Sequence, residues 1–138
     1  MRRGAVADPV SVSIDSEADI VMARQKGREL ALTLGFAGVD LTLIATAISE
    51  LARNIVKYAG RGEIVLSDET RGRAVAVIVV ANDKGPGIPD LDKAMQDGFS
   101  TGSGLGLGLP GARRLMDEFQ IRSAPGEGCT VTLKKWKR

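Results

Sequence analysis

The run Ala74-Val75-Ala76-Val77-Ile78-Val79-Val80-Ala81 contains no polar side chain. A strand of this kind does not alternate between core and solvent, so it reads as central in a sheet and covered on at least one side. Its neighbours follow from the same reasoning. Glu63–Leu66 and Arg73–Ala81 read as two strands joined through the polar turn Ser67-Asp68-Glu69-Thr70-Arg71-Gly72, most simply a hairpin. Val10–Ile14 alternates and reads as a further strand. Gln120–Ser123 and Cys129–Trp136 form a final pair around Pro125-Gly126-Glu127-Gly128.

Helices fill the intervals. Ser16-Glu17-Ala18-Asp19 is a capping-box start for a helix running to about Leu34, with Gly35 as its stop. Asp40 is expected to cap a second helix that continues to about Tyr58, before Gly60 and Gly62. A helical pattern also covers Ala112–Phe119, and a short one Asp90–Gln96. The order predicts an α/β two-layer sandwich: one mixed, mostly antiparallel sheet with helices on one face. Residues 1–138 read as one domain, with 1–9 expected to be flexible.

Gly102-Ser103-Gly104-Leu105-Gly106-Leu107-Gly108-Leu109-Pro110-Gly111 runs directly into that third helix. Backbone without Cβ approaches a ligand closely, and a helix start presents unpaired N–H donors at the positive end of its dipole. This is a seat for phosphate. No G-x-x-x-x-G-K-[ST] occurs, and Leu107 and Leu109 break the G-x-G-x-x-G spacing. On its own the run fits a nucleotide loop or a flexible loop packed on a helix.

Two further groups have an ordinary and a functional reading. Glu50, Asn54 and Lys57 fall at i, i+4 and i+7, opposite Leu41, Ile44, Ala45, Ile48, Leu51, Ala52 and Ile55, with Tyr58 at the border. They form either a solvated face or a ligand face; Asn54 argues for the second, since Asn is seldom spent within a helix. Asp83 ends the apolar strand and opens Asp83-Lys84-Gly85-Pro86-Gly87. The segment is either a turn or a carboxylate at the bottom of a slot, suited to accept from the exocyclic amine of adenine and to reject the guanine oxygen.

Composition limits the alternatives. The net charge of +2 and the basic tail Lys134, Lys135, Lys137 and Arg138 favour a solvated terminus over nucleic-acid binding. No stretch is apolar enough to span a bilayer, and the opening residues lack a secretion signal. The single Cys129 excludes an internal disulfide and fits a reducing cytoplasm. Histidine is absent, which leaves carboxylates as the natural proton acceptors.

Taken in order, these pieces resemble a family. Glu50-Leu51-Ala52-Arg53-Asn54-Ile55-Val56-Lys57-Tyr58 is similar to the N box of the GHKL (Bergerat-fold) ATPases and kinases. Asp83-Lys84-Gly85-Pro86-Gly87 is similar to their D-x-G-x-G box, Gly102–Leu107 to their second glycine box, and Gly126-Glu127-Gly128 to the start of their closing G-x-G-T element. Within the family, Ile48–Asn54, Asp97–Gly102 and Gly104–Gly111 with Leu115–Phe119 resemble the RsbT-type switch serine/threonine kinases of bacterial stressosomes.

The resemblance implies ATP and Mg²⁺ as cofactors. It implies Asn54 as the Mg²⁺ ligand, Glu50 as general base, Lys57 against phosphate, Tyr58 against the nucleotide and Asp83 as the adenine acceptor. Gly85 and Gly87 would let the chain pass close to the ring. The amides of Gly102, Ser103, Gly104, Leu105, Gly106 and Leu107 would hold the phosphates, and the segment between Pro89 and Thr101 would form a lid. Implied partners are STAS-domain scaffold proteins as substrates and a PP2C-type phosphatase or other effector, with no nucleic acid and no membrane. The alternatives are an anti-sigma-factor kinase that sequesters a sigma factor, and a binding switch with little catalysis. One departure stands out: Cys129 occupies the position where the family has Thr, and Thr130, next along the strand, is expected to face the other way.

Overall fold

The computed structural model describes residues 3–4, 8–85, 108–123 and 126–137. The elements are β1 (Arg3–Gly4), β2 (Val10–Ile14), α1 (Glu17–Thr33) and α2 (Val39–Asn54), followed by a π-helical turn (Ile55–Ala59). The hairpin β3 (Gly62–Arg71) and β4 (Ala74–Asp83) comes next, then α3 (Gly108–Leu115), β5 (Glu118–Ser123) and β6 (Cys129–Trp136). The apolar strand is central, as expected. The sheet order is β1-β3-β4-β6-β5, with β2 also on the β3 edge, and every described pairing is antiparallel.

Alternation along each strand sorts the side chains. Ile64 and Leu66 of β3, Val77, Val79 and Ala81 of β4, and Val131 and Leu133 of β6 are buried in one core with the helices. On α1, Ile20, Ala23, Gly27 and Ala31 form the buried stripe. On α2, Ile44, Ala47, Ile48, Leu51 and Ala52 are almost fully buried, because α1 packs on one flank and α3 on another. Gly27 allows the α1–α2 contact: a Cβ there would lie 2.1 Å from Ile48 Cδ1. The outer face of the sheet carries a polar row instead. Ser11 donates to Glu63 (2.9 Å), Asn82 to Glu63 (3.4 Å), and Thr130 to Asn82 (3.0 Å).

Four boundaries differ from the sequence expectation. The segment Ser67–Arg71 continues β3 in place of turning, and the hairpin closes at Gly72-Arg73, with Gly72 at φ 64°. Its acidic residues are matched within the sheet: Glu69 accepts from Arg71 at 2.6 Å and Lys134 at 2.7 Å. Asp40 is not the cap of α2; it lies in the first turn, behind Gly38. The second helix does not run on as α-helix to Tyr58, since the π turn begins at Ile55 and Gly60 N–H reaches Ile55 C=O, an i→i+5 bond of 2.9 Å. The third helix ends at Leu115, and Glu118 and Phe119 belong to β5, where Asp117 N–H bonds Lys134 C=O at 2.9 Å.

At the start of α1 the capping box takes a modified form. Asp19 accepts from Asp15 N–H (2.9 Å) and from the Ser16 hydroxyl (3.2 Å). The donation from Asp15 N–H holds the Asp19 carboxyl below its ordinary range, while the Asp15 carboxyl, beside Asp19, is raised. The short helical candidate Asp90–Gln96 lies outside the described residues. Among the described residues no helix is long and apolar enough to cross a membrane.

The Gly27–Ile48 contact gives a direct test of the packing. Gly27→Ala is expected to lower stability in the wild-type background, because its methyl group collides with a fully buried side chain. Ile48→Val removes the colliding Cδ1. In that background the same substitution should be neutral or gain up to about 1 kcal/mol from helix propensity. Urea midpoints of the wild type, the two single variants and the double variant measure the coupling; equal losses in both backgrounds would contradict it.

Candidate active site

The functional side chains converge at the end of the sheet where β4 finishes. Asp83 is the last residue of β4 and pairs with Gly62 on one side and Cys129 on the other. Both neighbouring glycines are required by contact. A Cβ on Gly62 would lie 2.3 Å from the Asn82 carbonyl oxygen, and one on Gly128 would lie 2.2 Å from that of Asp83. Gly128 also sits at φ +83°. The backbone around Asp83 is therefore clamped from both sides. Its carboxylate Oδ1 accepts the Gly85 N–H at 3.0 Å; among the described residues its second oxygen has no hydrogen bond.

Across from Asp83 stands the end of α2. Leu51, Asn54, Ile55 and Tyr58 line a narrow cleft with Ala81 and Asp83 of β4, Cys129 and Val131 of β6, and Leu109 of α3; its cavity volume is about 20 Å³ and it opens to solvent. Thus a helix amide and a strand-end carboxylate face one largely apolar slot. Ligand sites have this character: apolar walls with a few placed polar groups. Leu109, in the first turn of α3, brings that helix start to the same slot. The apolar wall residues escaped the sequence reading, although Ala81 and Val131 share the strand alternation of Asp83 and Cys129.

The trio Glu50, Asn54 and Lys57 does not share one environment. Asn54 lines the cleft, Lys57 is exposed and is not among the lining residues, and Glu50 is buried at 5% exposure. Two causes separate them: α2 is covered on both flanks, and the π turn displaces the residues after Asn54 from α-helical positions. Tyr58 is exposed at the mouth of the cleft, which it lines. Glu50 accepts from Arg53 Nη1 at 2.7 Å, a contact that spacing alone did not single out. Gly85 packs against the π turn, where a Cβ would lie 2.6 Å from Ala59 Cβ. Gly87, Gly102, Ser103, Gly104, Leu105, Gly106, Leu107 and the lid between Pro89 and Thr101 lie outside the described residues.

Among the described residues Asn54 Nδ2 is buried without a hydrogen-bond partner. An unpaired buried N–H costs free energy unless an acceptor engages it, so this donor is available to an acceptor on a ligand, with the amide oxygen on the same side chain. No cluster of three or more His, Cys, Asp or Glu that could hold a metal occurs among the described residues. The donor set fits a magnesium ion that takes one amide oxygen from the protein, its other ligands being waters and phosphate oxygens.

Cys129 lines the cleft beside Asp83, and Thr130 points to the opposite face, as the alternation predicted. Burial and then the charge of Asp83 push the thiol up to about 11, against the ordinary 9.0, with Ser123 opposing by a hydrogen bond. The cleft therefore presents a neutral thiol where a hydroxyl would be a stronger donor.

Residues 39–138 match the family of histidine kinase-, DNA gyrase B- and HSP90-like ATPases, and the chain belongs to that family. Over 131 residues it is 53% identical to the serine/threonine-protein kinase RsbT of Bacillus subtilis, an alignment covering 95% of this chain and 98% of that one. It is 32% identical over 103 residues to the anti-sigma F factor of a Thermoanaerobacter species, covering 70% and 71% of the two chains. The crystal structure of the RsbU and RsbW domains of a Mycobacterium tuberculosis protein shares the fold, with a TM-score of 0.62 at 23% identity, covering 96% of this chain and 34% of that one.

The raised thiol has a signed consequence for stability. An acid whose folded pKa lies above its unfolded value stabilises the fold below the unfolded value. That stability is lost as pH rises through the folded one. Relative to Cys129→Thr, the wild-type protein should lose additional stability between pH 9 and about 11. Urea midpoints at pH 8 and 10.5 check this; parallel behaviour of the two proteins would contradict it.

Proposed function

We propose that this chain is an ATP- and Mg²⁺-dependent serine/threonine protein kinase that acts as a partner switch in bacterial stress signalling. The observation that carries the reading is the cleft itself, onto which Asn54 and Asp83 open from two different elements. The similarity to RsbT along nearly its whole length supports the choice of a protein hydroxyl as acceptor.

Each residue then has a role. Asp83, fixed by Gly85 N–H and the flanking glycines, accepts from the exocyclic amine of adenine. A guanine oxygen at that point would oppose an acceptor with an acceptor. Leu51, Ile55, Ala81 and Val131 exclude water from the base, and Tyr58 closes against the nucleotide at the mouth. Asn54 holds the magnesium ion, which when bound neutralises phosphate charge. Lys57, the helix start at α3 and the amides of Gly102–Leu107 act on the phosphates. Glu50 accepts the proton of the incoming serine or threonine hydroxyl. That oxygen bonds to the γ-phosphorus as the bond to the β-phosphate oxygen breaks, and ADP leaves with the electron pair.

In this reading the protein works in the cytoplasm, its substrates are STAS-domain scaffold proteins of a stressosome, and when released it docks on a PP2C-type phosphatase or other effector. The similarity to anti-sigma F factors favours a second reading, in which the kinase also sequesters a sigma factor. Capture of a sigma factor in a pull-down with the purified protein separates the two.

Thermal shift tests the site. ATP or ADP with Mg²⁺, at 100 times its dissociation constant, should stabilise the protein by about 2.7 kcal/mol, and GTP at the same concentration far less. Asp83→Asn should weaken ATP binding roughly 10- to 100-fold. Asn54→Ala should lower phosphate transfer to a STAS-domain protein by about 100-fold. Equal stabilisation by ATP and GTP, or equal transfer by wild type and Asn54→Ala, would overturn the reading.

A further inference from the structure

The base assigned above lies 6% exposed in its side chain, and a buried carboxylate without a partner carries a large desolvation cost. Its partner is Arg53, one turn on along α2 and adjacent to Asn54 in the chain. Arg53 Nη1 lies 2.7 Å from Glu50 Oε1, while the Arg53 side chain is 38% exposed. Exposed i,i+3 pairs on helices contribute little and would carry no argument. This pair differs, because one member is buried and the contact is short and charge-assisted.

We propose that Arg53 is a positioning residue for phosphoryl transfer: it orients the Glu50 carboxylate and compensates its charge, so that Glu50 can take the proton of the acceptor hydroxyl. The proposal rests on the kinase reading and on Glu50 as base. Its physical content is geometric. Arg53 holds the carboxylate oxygen Oε1, and the helical turn of α2 places that contact next to Asn54 in the chain. Neither Arg53 nor Glu50 is among the residues lining the cleft, so the pair acts on the acceptor hydroxyl and not on ATP affinity. A lysine at this position keeps the charge and a single donor, which suits a contact made through one nitrogen.

Steady-state kinetics of the purified full chain test this, with Mg-ATP and a STAS-domain protein as acceptor and Mg-ATP hydrolysis as a parallel readout. Arg53→Ala is expected to lower kcat by roughly 10- to 100-fold with the KM for ATP held within about two-fold. Arg53→Lys should restore most of the rate. Glu50→Ala and the double variant Glu50→Ala/Arg53→Ala should turn over equally, within about two-fold, because Arg53 acts only through Glu50. Thermal melts of all four report folding, and Arg53→Gln, which keeps the stem and a neutral donor, serves if Arg53→Ala is unstable. Losses that multiply in the double variant, or a KM for ATP that rises as kcat falls, would overturn the positioning role. Full turnover by Glu50→Ala would overturn the base assignment itself, which is a distinguishable result.

Discussion

The clamping of Asp83 between Gly62, the first residue of β3, and Gly128, which leads into β6, is the constraint on which the site depends. β-Strands that pair side by side normally keep room for Cβ atoms, yet at this end of the sheet Gly62 and Gly128 bring backbone against the carbonyls of Asn82 and Asp83. The strand end therefore cannot shift without losing pairing on both flanks. With its backbone held, Asp83 needs only the Gly85 N–H to fix its carboxylate. A rigid acceptor discriminates between donors and acceptors because a mismatched partner cannot be accommodated by movement.

The opposite wall is built by different means. Helix α2 is buried on both flanks and its register is fixed by Ile44, Ile48 and Leu51, so Asn54 has little freedom. The π turn that follows carries Tyr58 to the mouth of the cleft, buries Ile55 and ends at Gly60. Such turns persist where a wider spacing serves a site, since the i→i+5 pattern is otherwise rare. The cleft thus has one wall set by sheet pairing and one by helix packing, with α3 joining through Leu109.

The sequence was most legible where local pattern and tertiary environment agree. The Ala74–Ala81 run had to be central, Cys129–Trp136 alternates over its whole length, and Gly35 ends α1 at φ +95°. It was least legible where a distant partner changes the meaning of a residue. Ser67–Arg71 looks like a turn because its residues are polar; it is strand because Glu69 is matched by Arg71 and Lys134, the latter far away in sequence. Glu50 looks like a solvated residue because periodicity sets it opposite the apolar stripe, and it is buried because helices cover both sides of α2. The π turn had no signature at all, since hydrogen-bond register is not a property of residue type. Asn54 was singled out as a poor helix former within a helical pattern; it lines the cleft and stands at the end of α2, where the π turn begins.

Glu50 and Asp83 are both carboxylates, yet they are partnered differently: Asp83 lines the cleft and accepts from Gly85 N–H, whereas Glu50 is not among the lining residues and accepts from Arg53. A guanidinium is a strong donor and compensates charge. On Asp83 it would occupy the lone pairs that face the cleft, whereas the single neutral N–H of Gly85 leaves an acceptor in place. Asp83 reaches water through the cleft, so it can stand without a cation. Glu50 is closed from solvent and has no such relief, so its compensation is built into the protein at Arg53. The same logic explains the neutral thiol of Cys129. Burial first, and then the neighbouring charge of Asp83, disfavours a second negative charge in the cleft, and the group there stays protonated. Charge is thus admitted to the cleft at Asp83 and kept out at Cys129 beside it, while the buried Glu50 is matched outside the lining by Arg53.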